Sequence, residues 1–289
     1  MRKIDHPTFG PGGNSESFYD EGMKATIQAP GWLAARSLDA YEYQAGNGLT
    51  AGEATLRKIG EKAREHGILM SLHTPYFISL SGVDPEKRLK SIDYISRSLS
   101  AAEALNADTI VIHTGSAAKI TREEAMALAA DTLEKNLEVN GNTDIRMGLE
   151  TMGKINQLGT LDEVLTLCKI SPLYHPVVDF GHLNARHLGN YFSTVDSYRA
   201  VFDRIANALG DDYAYNLHCH FSKIEYTNAG EKKHLTFEDR VFGPDFEPLA
   251  EAIVREGVCP RIICESAGTM AEDALFMKEQ WQHAKEVLS

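Results

Sequence analysis

Short, mostly apolar runs recur along the chain, each followed by a longer stretch in which apolar residues return at helical spacing. The runs at Thr8–Gly10, Ala40–Tyr43, Leu69–His73, Thr109–His113, Arg146–Glu150, Pro176–Asp179, Tyr215–His218 and Arg261–Glu265 read as strands. They lack polar alternation, as strands covered on both faces do. The intervening stretches read as helices: Thr50–His66, Pro85–Leu105, Thr121–Val139, Thr160–Lys169, Tyr191–Leu209, Phe246–Glu256 and Ala271–Val287. Thr50 with Glu53, and Thr121 with Glu124, have the spacing of a capping box, and Pro85 is a favoured first helical residue. Eight strand–helix units predict an α/β fold, a (β/α)8 TIM barrel, as a single domain over residues 1–289. A doubly wound open sheet would carry a Gly-x-Gly-x-x-Gly turn after an early strand, and Gly10-Pro11-Gly12-Gly13 lacks that spacing.

Composition agrees with one large core. The chain has 289 residues, 43% of them hydrophobic, and no low-complexity tract. No apolar run approaches the roughly 20 residues of a membrane span. The N-terminal MRKIDHPTFGPGGN lacks a signal-peptide core, so a cytoplasmic protein is expected. Cys168, Cys219, Cys259 and Cys264 form no CxxC pair, which excludes a thiolate zinc site of that type and suits reduced thiols. The net charge of −12 argues against a broad basic surface for nucleic acid, though it does not bar a local cationic cleft.

The chemistry lies where the predicted strands end. His73, His113, Glu150, Asp179, His218 and Glu265 each terminate one of them. In a barrel those ends share one face, so residues far apart in sequence converge there. A cluster of imidazoles and carboxylates is costly to bury unless a cation sits among them, and the absence of Cys favours Zn2+, with Mn2+ as the alternative. His182 follows Asp179 by three residues, His220 shares a strand face with His218, and His234 lies in the polar loop Gly230-Glu231-Lys232-Lys233-His234, which could fold over the mouth.

Six segments carry a family resemblance: Ser71-Leu72-His73-Thr74-Pro75-Tyr76-Phe77-Ile78-Ser79-Leu80, Val111-Ile112-His113-Thr114-Gly115-Ser116, Leu149-Glu150-Thr151-Met152-Gly153, Asp179-Phe180-Gly181-His182, His218-Cys219-His220-Phe221-Ser222-Lys223 and Ile263-Cys264-Glu265-Ser266. In their order and spacing the chain resembles the endonuclease IV (deoxyribonuclease IV) apurinic/apyrimidinic endonucleases, within the wider xylose-isomerase-like barrel group. The resemblance implies a metal-dependent phosphodiester hydrolase that cleaves damaged duplex DNA 5′ to abasic sites by a metal-activated hydroxide, with two or three Zn2+ ions. It implies that His73, His113 and Glu150 hold the first ion. Glu150 would bridge to a second, completed by Asp179, His218 and Glu265, and His182 and His234 would belong to a third. Glu150 and Glu265 are then the candidate catalytic residues, and Tyr76 and Lys223 candidate substrate contacts.

Two departures stand out. The family's third site uses an Asp two residues before its loop His, where this chain has Lys232; Glu231, His220, Asp239 and Asp245 are the nearby substitutes. The loop Gln44-Ala45-Gly46-Asn47-Gly48, which in the family enters the minor groove, lacks its expected Arg. The alternative is a divalent-metal sugar isomerase or epimerase on the same barrel, acting on a small sugar, with Glu150 and Glu265 as acid/base and ligand residues. Either enzyme is expected to be a monomer with no membrane partner.

Overall fold

The computed structural model describes residues 5–288. Residues 1–4 and 289, part of the expected 1–289 domain and, for 1–4, of the segment read as lacking a signal, lie outside the described residues. Eight parallel strands form a nearly closed TIM barrel: β1 (Thr8–Pro11), β2 (Ala40–Gln44), β3 (Leu69–His73), β4 (Ala107–His113), β5 (Arg146–Glu150), β6 (Tyr174–Asp179), β7 (His218–Phe221) and, late in the chain, β10 (Arg261–Cys264). Between β7 and β10 lies an antiparallel hairpin, β8 (Ile224–Thr227) and β9 (Gly230–His234). The pairing runs β1–β10–β7–β6–β5–β4–β3–β2, and an isolated parallel bridge from Gly12 to Glu42 brings the two ends together. Gly10 permits that seam, since a Cβ there would stand 1.7 Å from the Ala40 carbonyl oxygen.

The main outer helices are Glu53–His66, Pro85–Leu105, Arg122–Asn140, Leu161–Cys168, Val195–Leu209, Glu247–Glu256 and Met270–Leu288. Their apolar faces meet the outward residues of the barrel in one core that includes Ile110, Ile112, Leu149, Val178 and Ile262. Capping boxes form at Thr121 with Glu124 and at Thr160 with Glu163. The box expected at Thr50 does not form. The first of these helices starts at Glu53 after Gly52, with no side-chain cap.

The expected strand Tyr215–His218 is also displaced. Residues Asp211–Tyr215 make a helical turn, and the strand begins at His218 and runs to Phe221. Gly210 with Asp211 and Asp212 starts that turn, placing two acids at its positive end, and this local preference outweighs the apolar reading of the segment. The polar segment at Gly230–His234 is a strand rather than a loop. All four cysteines are unpaired and buried. No helix among the described residues is long and apolar enough to cross a membrane.

Candidate metal centre

Strand register assembles the site. His113 of β4 is level with Glu150 of β5, and Asp179 of β6 is level with His220 of β7, so these pairs arrive together at the same rim. His73 ends β3 beside them, and Glu265 follows immediately after β10. Asp179 also caps the helix Phe180–Arg186, its Oδ1 accepting from the His182 amide at 2.7 Å, which turns the His182 ring back over the site.

Four donor groups result, three at the rim and one, Glu42 with His218 and His220, inside the barrel. In the first, His113 Nε2 and His73 Nε2 lie 3.1 and 3.5 Å from Glu150 Oε2. The second gathers Glu150, Asp179, His220 and Glu265, with His220 Nδ1 3.0 Å from Glu150 Oε1 and 3.5 Å from Glu265 Oε2. The third gathers His182, Glu231 and His234, with His182 Nε2 3.5 Å from Glu231 Oε2. Glu150 belongs to the first two groups, and His182 Nδ1, 3.2 Å from Asp179 Oδ2, links the second to the third.

His218, expected beside Glu265, is not in the second group. It lies level with Val177, two residues below Asp179, because β7 starts at His218 rather than ending there. Its Nε2 instead meets Glu42 Oε2 at 3.0 Å inside the barrel. His220 occupies the rim position, since residues two apart on a strand share a face and the later one stands nearer the C-terminal end.

The third group answers the Lys232 departure. In β9, Lys233 pairs with Glu225 and Glu231 with Tyr226, so Lys232 is the extra residue of a bulge. In a regular strand residues three apart face opposite sides; the bulge removes one step and lets Glu231 and His234 face the same way. Lys232 and Lys233 turn outward to Glu225. Gly153 makes room for this: a Cβ there would come within 2.6 Å of Glu231 Cβ. Of the four substitutes considered for the missing Asp, Glu231 is thus the one beside His182 and His234. Asp239 and Asp245 stand near Lys223 instead. Lys223 Nζ donates to the Asp239 carbonyl at 2.8 Å and pairs with Asp245 at 3.1 Å, so the loop occupies its ammonium. It lines a separate cavity rather than the donor groups.

Tyr76 does face the site. The residue is 56% exposed, and its ring stacks on His113 at 5.4 Å and packs against Gly46. Together with His73, Glu150, Lys154, His182 and Glu265 it lines a cavity of about 360 Å³, and a neighbouring groove of about 430 Å³ runs past Gln44, Asn47 and Ser266. Burial pushes the Tyr76 phenol up to about 12, so it stays neutral.

The carboxylates and imidazoles of the site shift one another's protonation in opposite directions. Burial would raise Glu150, but His220, His113 and His73 overcome it and hold the carboxyl well below the usual range. Glu265 is drawn down to about 2, against its burial, chiefly by His220. Asp179 goes the other way: burial, then Glu265 and Glu150, raise it despite His182. His182 is driven up to about 9, against its burial, by Asp179, Glu231 and Glu150. Glu150 Oε2 and Asp179 Oδ2 are fully buried and accept no hydrogen bond. Buried carboxylate oxygens are rarely left so. Two orphaned oxygens amid imidazole nitrogens fit divalent cations of the Zn2+ or Mn2+ kind, which take mixed N and O donors.

Comparison with known proteins narrows the setting. A family model described as xylose isomerase-like TIM barrel matches residues 32–287. An uncharacterised protein of Methanocaldococcus jannaschii is 28% identical, over 93% of this chain and 95% of its own length. A protein of Acholeplasma laidlawii named probable endonuclease 4 is 30% identical over 68% of this chain and 72% of its own. Among solved structures, a D-tagatose 3-epimerase-like protein superposes with a TM-score of 0.67 at 19% identity, covering 87% of this chain and 90% of its own. Endonuclease IV from Thermus thermophilus superposes with a TM-score of 0.66 at 16% identity, covering 92% and 96%. At those identities the likeness is one of fold.

Proposed function

The chain belongs to the xylose isomerase-like TIM barrel family, and on that premise we propose that it is a metal-dependent phosphodiester hydrolase that cleaves DNA at abasic sites. One observation carries the reading: a third donor group, His182–Glu231–His234, stands beside the two that share Glu150. Moving a proton on a sugar asks for one cation and an acid/base pair. Displacement at phosphorus has charge to neutralise on the attacking oxygen, the phosphoryl oxygens and the leaving oxygen, and it uses more than one. Relatives named probable endonuclease 4 support the same reading.

His73, His113 and Glu150 would hold one ion, Glu150, Asp179, His220 and Glu265 a second, and His182, Glu231 and His234 a third. Such ions lower the pKa of a water from about 16 to near 7 and neutralise phosphate charge. The chain's own residues do the rest. Glu150 and Glu265 orient the water through their carboxylate oxygens. Lys154, on the cavity wall, offers a cation to a non-bridging phosphate oxygen. Tyr76, neutral and half exposed beside His113, presents a flat face on which an unstacked sugar or base can rest.

The sugar isomerase or epimerase remains the second reading. It is favoured by the net charge of −12 and by the Gln44–Gly48 loop, which carries no Arg. A duplex with one tetrahydrofuran abasic analogue separates the two. Nicking 5′ to the analogue, dependent on added Zn2+ or Mn2+ and lost in Glu231→Gln, is the expected result. No cleavage at high enzyme, with turnover of a ketose in the same preparation, would overturn it.

A further inference from the structure

Glu42 has no place in the chemistry so far, yet it is fully buried and 3.0 Å from His220. Its Oε2 accepts from Ser71 Oγ at 2.9 Å and stands 3.0 Å from His218 Nε2. Its Oε1 accepts from Gln44 Nε2 at 3.4 Å and faces His220 Nε2 at 3.0 Å. With both oxygens engaged, Glu42 differs from Glu150 and Asp179, each of which keeps an orphaned oxygen. With His218 and His220 it forms the donor group inside the barrel, yet its two oxygens are already matched by Ser71, Gln44 and the two imidazoles.

We propose that Glu42 is a positioning residue: it keeps the proton of His220 on Nε2, so that the Nδ1 lone pair is presented to the Glu150–Asp179–Glu265 cluster. A ring nitrogen can hold a divalent ion only through an unprotonated lone pair, and what faces the other nitrogen decides which one that is. His220 Nδ1 already points into the cluster, 3.0 Å from Glu150 and 3.5 Å from Glu265. Nδ1 makes a hydrogen bond with Glu150, whereas among the described residues Nε2 has no aligned hydrogen bond and faces the Glu42 carboxylate at 3.0 Å; a cation taken by Nδ1 would displace its proton and leave the one on Nε2 directed at Glu42. Ser71 and His218 fix the Glu42 plate from the far side, and the adjoining residues Ser71 on β3 and Glu42 on β2 are level in the sheet. The column Ser71–Glu42–His220 thus reaches from the barrel interior to the rim.

The inference rests on the metal-holding reading of the cluster, and a cobalt titration distinguishes its failure from failure of that reading. Purified apoprotein is titrated with Co2+, following the visible ligand-field bands and competing with a chelator of known affinity. Wild-type protein that gives no such bands sinks the metal reading itself. Given wild-type binding, Glu42→Gln is expected to weaken the tight Co2+ step by about 10- to 100-fold, the usual effect of losing a residue that orients a ligand. In a His220→Ala background the same change should cost less than about threefold, because nothing remains to be oriented. Unchanged affinity in Glu42→Gln, or an equal loss in both backgrounds, would overturn the proposal. If Glu42→Gln does not fold, Ser71→Ala decides, since it keeps the charge and removes one hydrogen bond. It should lower affinity by roughly two- to tenfold with His220 present and not with Ala there.

Discussion

Asp108 and Arg261 meet at the end of the barrel opposite the donor groups. Arg261, buried at the start of β10, donates two hydrogen bonds to the Asp108 carboxylate at 2.8 and 2.9 Å. Burial would raise Asp108, but the Arg261 charge and hydrogen bonds bring it far below the usual range. An acid whose folded pKa is depressed stabilises fully above its unfolded value and loses that contribution as pH falls toward the folded one. Asp108→Asn leaves the Arg261 charge unmatched and should cost about 3 to 5 kcal/mol at pH 7. Urea denaturation should show the deficit narrowing by about 1 kcal/mol at pH 3, where the unfolded wild-type chain takes up the proton. A deficit independent of pH would mean that the charge is not its cause. At the opposite rim the same residue-level argument applies to Glu150, the carboxylate common to two donor groups. Glu150→Gln should remove more bound Zn2+ per chain than Glu231→Gln does, as metal analysis after reconstitution will read directly.

Among the elements, the helix starts offer the sharpest contrast between pattern and outcome. Thr50 and Thr121 carry the same spacing to a Glu, and only Thr121 caps its helix. Thr121→Ala should cost about 1 kcal/mol and Thr50→Ala next to nothing, measured by thermal unfolding of the two variants in parallel. The β8–β9 hairpin gives a second test. Deleting one of the two lysines leaves Glu-Lys-His, in which Glu and His sit two apart on an unbulged strand. That variant should keep the full Zn2+ content, whereas Glu231→Gln should lose ions from the third group. If the deletion empties the group as well, the bulge is not what brings Glu231 to His182.

For the molecule as a whole, donors from β3, β4, β5, β6 and β7, from the residue after β10 and from the β8–β9 hairpin are drawn together at one mouth. Cations bound there would act as cross-links between most of the barrel's strands and remove repulsion among buried carboxylates. Ions present at a thousand times their dissociation constant add about 4 kcal/mol to stability. Stripping with a chelator should lower the melting temperature by several degrees, and Zn2+ should restore it. A melting temperature indifferent to both would contradict the metal-centre reading, whatever the substrate.

Much of this architecture was legible in the chain. Buried parallel strands read as unbroken apolar runs, so β3 and β5 were placed to the residue and β1, β2, β4, β6 and β10 nearly so. His73, His113, Glu150 and Asp179 stood at strand ends because a barrel leaves no other place where such groups can converge. Three site residues needed the folded molecule. His220 rather than His218 reaches the rim because the register of β7 against β6 is set by pairing, and a shift of a few residues leaves a short apolar run looking the same. Glu231 stands beside His182 and His234 because a bulge in β9 changes which side chains share a face, and no residue type announces a bulge. Glu42 lies mid-strand in a polar contact with residues from β3 and β7, so nothing in its own neighbourhood of sequence marks it. Periodicity determined the barrel and which strands end in candidate donors, since burial acts residue by residue along the chain. Which nitrogen meets which carboxylate was decided only by tertiary structure, because it depends on distances between strands that are remote in sequence.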